Sequence, residues 1–375
     1  MDDARRKIEH IEICLREDVD FEDNCESYFR EIILIHQALP GVSYSDVDTV
    51  TKFLGYTLNA PILIEAMTGG HPQLKHVNEE LAKLAEELKL AIGLGSEKPI
   101  IKSGFSREVV ETYRVVREIA RSVPVIGNIG ITLLHETTID VIKRLVEVVE
   151  VDALAIHLNP AQEVIQPEGD HDFSAVLLSK VSELTKELKL PIIIKEVGHG
   201  LSMEVVKSFR ERGVRIFDVA GACGTNWIKV EALRNPDNSV KREVGLLFSK
   251  INWGIPTPLS LIESRWVAPD AFIIASGGVW NGVNATKLIA LGANMVGVAK
   301  PILKTLIKHG YESARKYLEK YITEIKTTMF LIGASEISEL CFKPLVLGST
   351  IKYYVESRGI NAKEYIEKTR CGVVK

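Results

Sequence analysis

The sequence predicts a (β/α)8 barrel, and three observations predict it. Eight short apolar runs recur along the chain, each ending in small, polar or charged residues. Most are separated by stretches whose apolar residues follow helical spacing, such as Val77–Leu88, Val109–Ala120 and Val141–Val149. Residues able to do chemistry sit almost wholly at the carboxyl ends of the runs, where barrels of this kind build their active sites. The pattern is that of an enzyme.

Residues 1–60 precede the rhythm and read as an N-terminal extension. It carries Arg5, Arg6, Lys7 and His10 near its start, an apolar helix or strand at Phe29–His36, and a hairpin-like alternation from Val42 to Pro61. The barrel is expected over 61–310. Its runs are PILIEAMTGG (Pro61 to Gly70), LAIGLGSEK (Leu90 to Lys98), PVIGNIG (Pro124 to Gly130) and ALAIHLNPAQE (Ala153 to Glu163). They continue as PIIIKEVG (Pro191 to Gly198), VRIFDVAGACGTNW (Val214 to Trp227), AFIIASGG (Ala271 to Gly278) and MVGVAK (Met295 to Lys300). The connection over 224–270 is too long for a simple turn, and its RNPDNSVKRE stretch (Arg234 to Glu243) is polar and turn-rich. It reads as a mobile loop or lid. Helical spacing resumes at Leu303–Ile307, Ala314–Tyr321, Thr327–Ile332 and Lys363–Lys368, so 311–375 is expected to be a C-terminal helical segment.

The bulk properties narrow the function. A chain of 375 residues with 46% hydrophobic content is ample for one large core. No uncharged apolar stretch approaches the roughly 18–20 residues of a membrane helix, and the first residues lack the apolar core of a signal peptide. A formal charge of −4 gives no global field for nucleic acid, so an anionic substrate must be gripped by a local cluster. The five cysteines are dispersed, without paired spacing, which reads as reduced thiols in the cytoplasm, and not as a disulfide framework or zinc site. Cys223, in a strand-end loop, reads as a small buried thiol or as a nucleophile.

Four groups of residues carry candidate chemistry. Ser276-Gly277-Gly278 closes the seventh run and Val298-Ala299-Lys300 the eighth, the two loops that often form a phosphate site in barrels. Ala66, Met67, Thr68 and the glycines after the first run, with Gly127-Asn128 and Lys195, suit a flat heterocycle lying over the mouth. Lys195 would be a cation beside a ring that becomes anionic on reduction. His157, Asn159, Gln162 and Glu163 form a polar cup in an otherwise apolar run, with one carboxylate suited to Mg²⁺. Arg6, Lys7 and Lys98 are candidates for holding an anion, against the plainer reading of solvated charge. No strong acid is evident among the inward residues, and no GxGxxG follows any strand.

The motifs RKIEH (Arg6 to His10), AMTGG (Ala66 to Gly70), Gly95-Ser96, Gly127-Asn128, HLNPAQE (His157 to Glu163), KEVG (Lys195 to Gly198), GTNW (Gly224 to Trp227) and SGG (Ser276 to Gly278) occur in one order. In this the chain resembles the type 2, FMN-dependent isopentenyl diphosphate isomerases. The resemblance implies interconversion of isopentenyl and dimethylallyl diphosphates by a 1,3-allylic proton shift in isoprenoid biosynthesis. Implied with it are FMN, Mg²⁺, NADPH as the reductant of FMN, and a homo-oligomer (tetramer or octamer). It assigns FMN to Ala66, Met67, Thr68, Ser96, Asn128, Lys195, Thr225, Gly277, Gly278, Ala299 and Lys300. Substrate falls to Arg6, Lys7, Lys98, His157, Asn159 and Gln162, catalysis to Gln162 and His157, and Mg²⁺ to Glu163. The family usually reads Ser-Gln-Arg after the second strand, whereas this chain has Ser96-Glu97-Lys98, so Lys98 lacks the bidentate fork and Glu97 is expected to add an opposing charge. Two other readings stay open. One is FMN-dependent oxidation of 2-hydroxy acids, for which His199 is the only tempting base and no arginine stands at the late strand ends. The other is a flavin-binding protein without catalysis.

Overall fold

The computed structural model describes residues 3–372. The first two residues of the N-terminal extension and the last three of the C-terminal segment lie outside the described residues.

The eight apolar runs form the eight strands of a closed parallel barrel. We number them β1 (Ile62–Ile64), β2 (Ala91–Gly93), β3 (Val125–Gly130), β4 (Ala153–Leu158), β5 (Ile192–Glu196), β6 (Ile216–Asp218), β7 (Phe272–Ala275) and β8 (Met295–Val298). Closure comes where Gly297 of β8 pairs with Leu63 of β1. These strands lack a polar face because both sides are covered, by the barrel interior and by the helices outside. β1, for example, is buried at all three positions. The helical spacings become the helices Lys75–Leu88, Arg107–Ile119 and Ile139–Val149, each with its apolar stripe against the barrel.

The extension begins with the helix Asp3–Arg16, which lies over the mouth and packs on the helix Trp227–Arg234. Its continuation crosses the rim at Asp20, which bridges to Thr225, while Phe21 N–H donates to the Gly224 carbonyl at 3.0 Å. The alternating stretch before β1 is a short antiparallel hairpin of Thr51–Phe53 with Tyr56–Leu58. Ile32–Leu34 pairs with Leu345–Leu347, fastening the C-terminal segment to the extension. The long helix Tyr311–Leu331 packs on Gly282–Leu291 and Lys300–His309.

Two expectations are corrected. The segment 224–270 is not a polar loop: it holds the helices Trp227–Arg234, Val240–Lys250 and Thr257–Val267. Its turn-like RNPDNS letters span only the bend between the first two of these. Asn235 fixes that bend by donating to the carbonyls of Ile165 and Glu231, at 2.9 and 2.8 Å. The thiols are not all reduced either. Cys25 pairs with Cys223 across 198 residues of sequence, and Cys341 with Cys371, leaving Cys14 free and buried. Dispersed spacing hid these pairs because the fold, not the local sequence, brings the partners together. Cys223 is therefore no nucleophile in this state.

Candidate active site

The strand ends enclose one cavity of about 250 Å³ at the carboxyl face of the barrel. Every residue singled out for FMN or substrate lines it except Thr68, which lies just beneath. Two walls face each other.

The first wall is made of backbone. Gly277 and Gly278 turn at φ +92° and +74°, conformations that an L side chain rarely adopts. A Cβ on Gly277 would stand 2.2 Å from the Gly221 carbonyl oxygen, and one on Gly278 at 2.2 Å from that of Cys223. Gly224 closes the same contact, with its virtual Cβ 2.7 Å from the Gly278 nitrogen. Thr257 Oγ1 donates to the Gly277 carbonyl at 2.6 Å and fixes the turn from behind. Beside it, Ala299 and Lys300 open the helix Lys300–His309, and the Lys300 ammonium pairs with Asp20 of the extension. Glycine backbone at a helix N-terminus is a ready anion cradle.

The second wall is made of side chains. His157 Nδ1 lies 2.9 Å from Asn128 Oδ1. The amide oxygen can only accept, so Nδ1 carries the proton and Nε2 is left as an acceptor beside Gly130. Burial first, then the charges of Lys195, Arg6, Lys7 and Lys98, push the His157 imidazole down to about 3, so it is neutral at physiological pH. Asn159 donates to Gln162 Oε1 at 3.2 Å and to Glu163 Oε1 at 2.9 Å. Glu163 Oε2 accepts from Gln166 at 3.1 Å and from the Asp170 N–H at 2.8 Å. Lys7 spans the gap to the first strands, donating to the Ser96 carbonyl and to Tyr113 Oη, each at 2.7 Å. Lys98 pairs with Asp170 at 2.9 Å, and Arg6 lies 3.9 Å from Glu168.

Carboxyl groups that the sequence reading did not single out lie close by. Glu231, on the helix Trp227–Arg234, accepts from Gln162 at 2.8 Å, contacts His10 Nε2 at 2.8 Å and pairs with Arg234 at 2.6 Å. Burial alone would raise its carboxyl, but the hydrogen bond and charge of His10, then Arg234, hold it down at about 2. It was missed because its helix lies in the stretch read as a loop. Glu65 and Asp218 flank Lys195, so the lysine is part of an ion-pair cluster instead of a bare cation. Glu97 does not oppose the diphosphate side. It turns away from the cavity and takes the Asn128 N–H at 2.7 Å, and burial pushes its carboxyl up to about 8, so it is protonated at neutral pH. His199, the base a 2-hydroxy-acid oxidase would need, is buried against Phe21 and does not line the cavity.

The fold and this two-walled mouth define an FMN-type (β/α)8 enzyme. The family model described as FMN-dependent dehydrogenase matches residues 154–346. Among solved structures, a flavocytochrome b2 variant with sulfite bound superposes with a TM-score of 0.65 at 22% identity, covering 92% of this chain and 84% of the other. A mandelate oxidase variant with (S)-mandelic acid gives 0.64 at 16% identity, covering 92% and 96%. Those likenesses concern the fold alone. An isopentenyl-diphosphate delta-isomerase of Sulfurisphaera tokodaii is 46% identical over 364 residues, 96% of each chain. One from Metallosphaera sedula is 40% identical over 369 residues, 98% of each. The chain belongs to the isopentenyl-diphosphate delta-isomerase family.

FMN fits the residues present. The glycine wall keeps bare backbone at the mouth, because a Cβ on Gly224, Gly277 or Gly278 would run into the neighbouring backbone. Thr68 Oγ1, buried in the loop after β1, has no hydrogen-bond partner among the described residues. A ligand ring or chain with a polar edge would satisfy it. For a metal ion the arrangement is thinner: no group of three or more metal-ligating side chains occurs among the described residues. Glu163 alone can contribute one carboxylate to an ion carried chiefly by a substrate diphosphate and water.

Proposed function

We infer that the chain interconverts isopentenyl and dimethylallyl diphosphates by an allylic proton shift, with FMN on the glycine wall and Mg²⁺ on the diphosphate. The observation that carries this reading is the facing of the two walls. A wall of bare backbone stands opposite a polar cup ringed by Arg6, Lys7 and Lys98. Reduced FMN supplies the acid/base group that the side chains lack at an unactivated alkene. The chain's own residues do the rest. The three cations hold the diphosphate, Lys7 and Lys98 already fixed by their hydrogen bonds to Ser96 and Asp170. Glu163 takes the ion. Neutral His157 offers Nε2 as an acceptor to the substrate side. Gln162, tied to ionised Glu231, keeps its amide oriented and can pass a proton only in concert with its neighbours. Arg6, Lys7, His10, Ile11 and Cys14 of the helix Asp3–Arg16 form one side of the cavity.

NADPH as reductant, a cytoplasmic location and a homo-oligomer belong to the same proposal. Supporting the last, Leu247, Ile251 and Trp253 expose an apolar face on the connection after β6. No helix among the described residues is long and apolar enough to cross a membrane.

The test is an anaerobic assay of FMN-loaded protein with Mg²⁺. We expect many turnovers per NADPH oxidised and solvent deuterium in the product. Stoichiometric NADPH consumption would return the chain to the oxidoreductases. The exclusion of His199 from the cavity already speaks against the 2-hydroxy-acid reading.

A further inference from the structure

Lys195 is held at the floor of the mouth between two carboxyl groups. Asp218 Oδ2 is 2.9 Å from its ammonium and Glu65 Oε2 is 3.5 Å away. Lys195 lies on β5, Asp218 on β6 and Glu65 directly after β1, and all are buried. Fully ionised, they would leave one uncompensated negative charge in the barrel interior, which burial penalises heavily.

The other groups facing the cluster do not supply a second positive charge. On β5, the Glu196 carboxylate is taken by the N–H groups of Val197, Gly198 and His199, and its carbonyl accepts from Lys195 at 2.9 Å. On β4, His157 is neutral. From the end of β7, the Ser276 hydroxyl donates to Asp218 Oδ1 at 2.6 Å, and the Ala220 N–H reaches the same oxygen at 3.3 Å.

Glu65 is the less well served carboxyl. Its Oε2 receives one long bond from the Ala66 N–H at 3.3 Å, and its Oε1 has no hydrogen-bond partner among the described residues. Oε1 is pressed against β8, where a Cβ on Gly297 would come within 2.1 Å. Burial, then the charge of Asp218, raise the Glu65 carboxyl well above the usual range, outweighing the pull of Lys195.

We propose that Glu65 is the proton-holding member of this cluster, and that it binds its proton more tightly when the ring above Lys195 carries negative charge. Flavin reduction and Glu65 protonation are then coupled. This rests on FMN occupying the mouth. With its proton, Glu65 leaves Lys195 and Asp218 as a balanced pair. Without it, the floor is negative and disfavours an anionic ring. Glu65 is thus a positioning residue that acts through Lys195, and linkage requires the effect to be reciprocal.

The experiment is the midpoint potential of FMN-loaded protein from pH 6 to 10, measured for the wild type and for Glu65→Gln. In the wild type the potential should fall more steeply above neutral pH, by one extra proton per electron pair. Glu65→Gln should keep the shallower slope throughout. At the alkaline end its preference for reduced over oxidised FMN should exceed that of the wild type about tenfold, which is about 30 mV for a two-electron couple. Parallel curves for the two proteins would overturn the proposal. An infrared difference spectrum of the wild type, reduced minus oxidised within the steep interval, needs no variant. It should gain a protonated-carboxyl band, and its absence would overturn the proposal as well. A wild-type protein that binds no FMN would sink the cofactor reading itself, a result distinct from FMN bound with equal slopes.

Discussion

The two walls of the mouth are built on different principles. The wall of Gly221, Gly224, Gly277 and Gly278 is backbone against backbone, and its shape depends on what is missing at each Cβ. The wall of His157, Asn159, Gln162, Glu163 and Glu231 is a network of side chains, each fixed by the next. A steric wall fails wherever an atom is added. A hydrogen-bonded wall fails where a partner is removed, and by an amount that depends on which one. The difference separates cofactor binding from turnover.

The largest effect should follow from adding one methyl group to the steric wall. Gly277→Ala combines a left-handed φ of +92° with a 2.2 Å contact on the Gly221 carbonyl oxygen. The cost should be about 2–5 kcal/mol. FMN affinity, read by flavin fluorescence, should fall at least about a hundredfold, a ratio equal to about 2.7 kcal/mol. Retention of normal affinity would show that the glycine turn is no cradle.

Removing the anchor of the other wall should give the opposite signature. Glu231→Ala strips the carboxylate from buried Arg234, His10 and Gln162, at about 3–5 kcal/mol. Turnover should collapse in the isomerase assay while FMN remains bound. Simultaneous loss of FMN would mean that the walls are not independent. Glu163→Gln should be milder. Here we expect a roughly tenfold rise in the Mg²⁺ needed for half activity, about 1.4 kcal/mol, with FMN titrating as before.

Acid sensitivity offers a finer test. His157 is depressed from 6.5 to about 3 in the folded chain. Between those values the unfolded chain binds a proton that the native state refuses. The stabilising contribution is therefore present above about pH 6.5 and is lost as pH falls toward 3. Replacing His157 with Gln should flatten the fall of unfolding free energy across that window, as followed by denaturant titration.

Glu97→Gln should do least at acid pH. Glu97 is raised to about 8, so the unfolded chain releases a proton that the native state keeps between roughly pH 4.5 and 8, and its contribution to stability declines as pH rises through that range. The variant should match the wild type within about 0.5 kcal/mol at pH 4 and exceed it at pH 8.

The two walls were also unequally legible in the sequence. All eight strands could be read, because apolar runs with polar ends and helical spacers leave a period that survives without tertiary information. The glycine wall was legible too, since Gly277-Gly278 and Gly224 announce a backbone requirement in the letters themselves. Four of the five side chains of the other wall were legible in HLNPAQE. Glu231 was not, because its helix begins directly after GTNW in a stretch whose Asn, Pro and Asp imitate a loop. The Lys195 cluster was half seen. Lys195 stands out among isoleucines, whereas Glu65 and Asp218 each look like the ordinary end of a strand until closure of the barrel brings them together. Disulfide partners 198 residues apart were beyond any local pattern.

The Cys25–Cys223 link bears on how the mouth opens. The helix Asp3–Arg16 ends nine residues before Cys25, and Cys25 is fastened to the loop beside the glycine wall. A departing helix is therefore an arm on a leash, with an extended reach of about 30 Å at most. Its local concentration at the rim is set by that short tether and lies on the order of millimolar, whatever the protein concentration in solution.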